Sequence, residues 1–120
     1  MFEDVSKLIV FKKSHELALK IYELTKKFPK DETFALTSQI RRAVVSIPSN
    51  IVEGKARNSD KEYKRFLYIS RGSLEEVKYQ ILLSKDLSYI TENDFIIVMD
   101  LINEVGRLLN GLISSLKQSI

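Results

Sequence analysis

The sequence predicts an all-α fold, an antiparallel up-down four-helix bundle with a proline-kinked second helix, built as one domain over residues 1–120. Three observations lead there. Apolar residues recur at steps of three and four through four stretches, glycine and proline are rare, with Pro29 and Gly54 falling where breaks are needed, and the breaks are only a few residues long. Short connections between long helices favour antiparallel neighbours.

The first helix carries Phe11, Ser14, Ala18, Ile21, Thr25 and Phe28 on one stripe, widened by Leu17 and Leu24, and is expected to stop at Pro29. The ten residues before it, with Leu8, Ile9 and Val10 together, read as an extended lead-in. A second helix begins after Asp31 and Glu32 and carries Leu36, Ile40, Ala43, Ile47 and Ile51 to Gly54, read as a C-terminal stop. The third opens with Ser59-Asp-Lys-Glu62, a capping box in which serine and glutamate satisfy each other's free amides, and continues through Tyr63, Leu67, Leu74, Val77 and Ile81. The fourth opens likewise at Thr91, with Asp94 as the weaker box partner.

The fourth helix has two apolar stripes. Phe95, Met99, Ile102, Gly106, Leu109, Ile113, Leu116 and Ile120 form one, and Val98, Leu101, Val105, Leu108 and Leu112 form the other. Together they are wider than the roughly 100° face a helix needs to cover one core. Either both stripes are buried in one monomer, or the second is an oligomer interface.

Composition narrows the functional classes. With 44% apolar and 29% charged residues the chain is globular rather than disordered. The absence of cysteine excludes disulfides, Fe–S clusters, thiolate zinc and a cysteine nucleophile. The start shows no signal-peptide pattern and no apolar run is long enough to span a bilayer, so no membrane role and a cytoplasmic location are expected. The net charge of +3 is mild, but it is unevenly placed. Between residues 55 and 71 six bases (Lys55, Arg57, Lys61, Lys64, Arg65 and Arg71) face two acids, whereas residues 86–106 hold five acids and no base. The six bases are the candidate nucleic-acid contacts.

No catalytic site is predicted. His15 is the sole histidine, and His15-Glu16 lacks the second histidine of a zinc-protease helix. Glu53, Glu75 and Glu76 lack the Glu-x-x-His repeats of a di-iron bundle. Ser46 and Ser73 have no base, and no glycine-rich phosphate loop is present. No cofactor or metal is expected.

The most informative stretch is a polar seam on the second and third helices. Pro48 lies inside the second helix, where proline costs about 3 kcal/mol unless the surroundings use its distortion. Gln39, Ser46, Asn50 and Glu53 line the same side, with Ala43 completing the row. Ser70 and Ser73 on the third helix, in Ser70-Arg-Gly-Ser73, are the predicted partners, small enough to let the backbones approach. The seam reads either as a network that fixes helix register or as a ligand contact made through Asn50, Glu53 and the neighbouring Lys55 and Arg57.

The run Gln39-Ile-Arg-Arg-Ala-Val-Val-Ser-Ile-Pro-Ser-Asn-Ile-Val-Glu-Gly54, followed by Ser70-Arg-Gly-Ser-Leu-Glu-Glu76, resembles the four helix bundle proteins encoded in 23S ribosomal RNA intervening sequences. The resemblance extends from about Phe11 to the C-terminus. That family is similar in turn to the accessory variability proteins of diversity-generating retroelements. The resemblance implies a four-helix protomer in a homopentameric barrel, a basic surface that engages RNA or DNA and, by the retroelement relation, a reverse transcriptase as partner. A protein adaptor or scaffold without a nucleic-acid role is the alternative.

Overall fold

The structure, a computed structural model, describes Val5 and residues 8–116. Four helices account for most of them: α1 (Ile9–Thr25), α2 (Leu36–Lys55), α3 (Asp60–Asp86) and α4 (Glu92–Ser115), with a 3-10 turn at Lys30–Glu32. The described residues contain no strand. Each helix packs on its neighbour in sequence, and α1 also packs on α4. Pairing runs in opposite directions along each contact. Late α2 meets early α3 at Gly54 with Tyr63 and Phe66, and earlier α2 meets later α3 at Ser46 with Ser73. Likewise Arg71 reaches Asn110, while Lys85 lies over Phe95.

The core is the predicted one for the first three helices. Leu17, Ile21, Ile40, Val44, Ile47, Ile51, Leu67, Leu74, Val77 and Ile81 are buried together. Serines and threonines join this core because each can return a hydroxyl hydrogen to a nearby backbone carbonyl. Ser14 donates to the Phe11 carbonyl at 2.9 Å, Thr25 to Ile21 at 2.8 Å and Ser84 to Gln80 at 2.7 Å.

Several boundaries differ from expectation. Ile9 and Val10 are already helical, and only Leu8 of that trio is extended. Among the rest of the lead-in only Val5 is described, and it is buried. Helix α1 ends at Thr25, short of Pro29, which instead opens the 3-10 turn. At the end of α3 the amide of Ser88 donates to Lys85 O (2.9 Å) and that of Tyr89 to Ser84 O (2.8 Å), a Schellman arrangement. Ser88 supplies its left-handed residue (φ 63°) where glycine is usual, so the sequence carried no glycine to mark the stop. Of the two capping boxes, the Ser59 and Thr91 oxygens accept from the amides of Glu62 and Asp94, both at 3.0 Å. The Glu62 carboxylate turns to Arg65 rather than back to Ser59.

The second stripe of α4 is a correction. Val98 and Val105 have no exposed surface and Leu101 is 9% exposed, so these three belong to the monomer core, while Leu108 and Leu112 are half-buried against it. The core-facing line of α4 runs between the two predicted stripes, because α4 sits in a notch between α1 and α3 and is covered from both sides. Its free apolar side chains are Ile96 and Ile97. Ile120 lies outside the described residues.

Candidate nucleic-acid interface

The α2–α3 turn is shaped by a close helix contact. A Cβ built on Gly54 would lie 2.8 Å from the Phe66 Cβ and 3.0 Å from the Tyr63 ring, so only glycine admits this approach. Gly54 is therefore not the stop the sequence implied: it is helical with ordinary negative φ, and α2 continues to Lys55. The tight crossing brings the bases at the end of α2 onto the aromatic residues that open α3.

There Lys55 lies 5.7 Å from the Tyr63 ring centroid, and Arg57 and Arg65 lie 4.9 and 4.5 Å from that of Phe66. A cation over an aromatic face is held in place while its donors remain open to solvent. Arg57 also pairs with Glu53 at 3.2 Å and Arg65 with Glu62 at 3.1 Å. The hydrogen bond from Arg65 holds the Glu62 carboxyl below its ordinary range. Slight dehydration opposes that shift, and the charges of Arg65, Arg57 and Lys61 reinforce it. Lys61 is exposed and Lys64 half-buried at the start of α3.

Arg71 does not join this group. It donates to Asn110 Oδ1 at 3.0 Å and lies 4.8 Å over Tyr68, facing α4. A second zone of polar groups follows it along the α3–α4 groove, where Lys78, Asn103, Arg107 and Asn110 meet Glu75. Of the six predicted bases, Lys55, Arg57 and Arg65 thus gather on the Tyr63 and Phe66 rings, whereas Arg71 lies on another face of α3, one heptad beyond Lys64, because the 3.6-residue period rotates it away from Arg65.

The polar seam also divides. Its centre is closed: Ser46 and Ser73 share a hydroxyl hydrogen bond at 2.9 Å, and Asn50 Nδ2 donates to Ser46 O and Oγ at 2.8 and 2.9 Å. Ser70, fully buried, donates to the Ile47 carbonyl at 2.8 Å. Helix α2 runs unbroken through Pro48, whose ring is half-buried beside these contacts. Gln39 and Glu53 are exposed at the two ends and take no part in the network, and Gly72 faces open space rather than α2.

In the sequence Arg41 and Arg42 stand out only as part of the motif. The structure places both in a groove between α1 and α2, where Arg41 lies 4.6 Å over Tyr22 and donates from Nε to Thr25 Oγ1 at 2.8 Å. Only the helix pairing exposes that role, because Tyr22 lies far away in sequence. Among the described residues no group of three or more His, Asp or Glu is placed to hold a metal, and no helix is long and apolar enough to cross a membrane.

With this geometry in hand, comparison with known proteins is decisive on one point. The profile of the 23S rRNA-intervening sequence proteins matches residues 6–111. The chain belongs to that family. Among solved structures, a protein of unknown function from the S23 ribosomal protein family of Bacteroides thetaiotaomicron VPI-5482 is similar at 28% identity with a TM-score of 0.82. The match covers 89% of this chain and 96% of that one. No curated protein matches the chain. The matched span takes in the whole seam from Gln39 to Ser73.

Proposed function

We propose that this protein is a non-enzymatic nucleic-acid-binding or accessory protein that works as a homo-oligomer, a pentamer by the family resemblance, and holds RNA or DNA through the α2–α3 turn. The observation that carries the reading is the pair Arg57 and Arg65 set over Phe66, with Lys55 and Lys61 exposed beside them. Three acids, Glu53, Asp60 and Glu62, temper this patch, so one copy is a weak site. Repetition around a ring multiplies it, because phosphate binding grows with the number of simultaneous contacts. The family's name links its members to 23S rRNA, which makes RNA the first ligand to try.

Gel retardation of RNA and DNA fragments tests it. Low-salt retention that declines steeply with added salt is expected, and the double substitution Lys55→Glu, Lys61→Glu should weaken it by about tenfold or more with the melting temperature little changed. Retention indifferent to salt or to both substitutions would sink the reading. A protein adaptor, with a reverse transcriptase as the partner class the resemblance implies, is the second reading. An acid-lined groove between α1 and α4 favours it, and binding to a defined partner that survives nuclease treatment is its test.

A further inference from the structure

Two grooves flank α1, and they are opposite in charge. The α1–α2 groove, about 640 Å³, is lined by Tyr22, Phe34, Thr37, Arg41, Arg42 and Val45 and contains no acid. The α1–α4 groove, about 610 Å³, is lined by Glu16, Leu19, Glu23, Ile97, Asp100 and Glu104, with Lys20 as its one base. Both carry uncovered apolar surface. Phe34 is 96% exposed at the lip of the first, with Tyr22 and Val45 beside it, and Leu19 and Ile97 stand open in the second.

Local pairing leaves negative charge over in one groove and positive charge in the other, where Arg41 has only the neutral partners Thr25 and Tyr22. Glu16 and Glu104 share Lys13 at 3.5 and 3.7 Å, and Glu23 takes Lys20 at 3.1 Å. Asp100 makes no ion pair or hydrogen bond among the described residues, and neither does Arg42. An aromatic side chain projecting beside a free arginine fits an apolar trough beside a free carboxylate.

We infer that the two grooves mate between copies of this chain: Phe34 of one protomer enters the α1–α4 groove of the next, and Arg42 pairs with Asp100. This rests on the oligomeric part of the proposed function and names its contact. A second copy is the occupant that accounts for both grooves at once, whereas a nucleic acid would account only for the basic one. The mating surfaces differ, so the contact is head-to-tail and propagates until a ring closes.

Charge reversal tests it, with native mass and sedimentation reading the subunit number and thermal melting confirming the fold. Arg42→Glu and Asp100→Arg should each weaken association at least about tenfold, the double variant should restore it, and Phe34→Ala should weaken it without changing charge. A monomeric wild type overturns this inference together with the oligomeric reading. A multi-subunit wild type that neither reversal dissociates overturns the mating alone, as does a double variant that stays dissociated. An Arg42→Glu protein that assembles normally but no longer retains RNA gives the groove to nucleic acid and likewise overturns it.

Discussion

The α2–α3 contact and the α1–α4 contact are built on different principles. The first is closed by backbone proximity at Gly54 and by hydroxyl and amide bonds from Ser46, Asn50, Ser70 and Ser73. The second has a shared apolar core but, among the described residues, a single half-exposed ion pair across its surface, Lys13–Glu104 at 3.7 Å, and it leaves an acid-lined groove open. The centre of the seam satisfies its polar groups internally, whereas the groove keeps an unpaired carboxylate and uncovered aliphatic side chains open to a partner. The Ser46–Asn50 side of the motif helix is thus packed against α3, while Arg41, Arg42 and Val45 on its other side line an open groove.

Four substitutions break or sharpen that contrast. Gly54→Val should have the largest effect, because its Cβ meets the Phe66 Cβ inside van der Waals contact. A loss of about 3 kcal/mol in chemical denaturation is expected, and a fully stable variant would mean the two helices part without cost. Ser70→Ala removes a buried donor from the Ile47 carbonyl and should cost about 1 kcal/mol by the same measurement, with gel retardation unchanged.

The loops at the other end of α2 offer an intermediate case. Tyr89 donates to Glu32 Oε2 at 2.8 Å and packs on Phe28, while Glu32 Oε1 accepts the Leu36 amide, so one glutamate ties both loops to the start of α2. The bond to Glu32 raises the Tyr89 phenol above its ordinary 10.0, with dehydration and the Glu32 and Asp31 charges acting the same way. The neutral phenol is the form the fold favours. Its stabilisation is therefore complete below pH 10 and lost as pH rises through the higher folded value. Tyr89→Phe should remove this alkaline sensitivity and cost somewhat less than Ser70→Ala at neutral pH, which stability curves at pH 7 and pH 11 would show. The smallest effect belongs to Glu104→Gln on the open side. An exposed pair contributes about 0.5 kcal/mol or less, and a larger loss would show the α1–α4 contact to be more dependent on charge than its geometry indicates.

Much of the fold was legible in the residues. Ser14, Ala18, Ile21 and Thr25 on α1 and Ile40, Ala43, Ile47 and Ile51 on α2 are buried as their spacing requires, and Ser46, Ser70 and Ser73 meet across the seam. The candidate basic surface was legible in part. A run of bases can be counted along a chain, but the rotation of the helix decides which of them share a face, and it separated Arg71 from Arg57 and Arg65.

By itself the sequence determined four amphipathic helices, their order, the family motif and the uneven charge, because each depends on residues within a turn or two of one another. Tertiary structure alone decided that Val98, Leu101 and Val105 are core, that Gly54 is a crossing point, and that Arg41 and Arg42 share a groove with Tyr22 and Phe34. The physical reason is the same in each case. Helical periodicity fixes which side chains point the same way, and only the neighbouring helices fix what they point at.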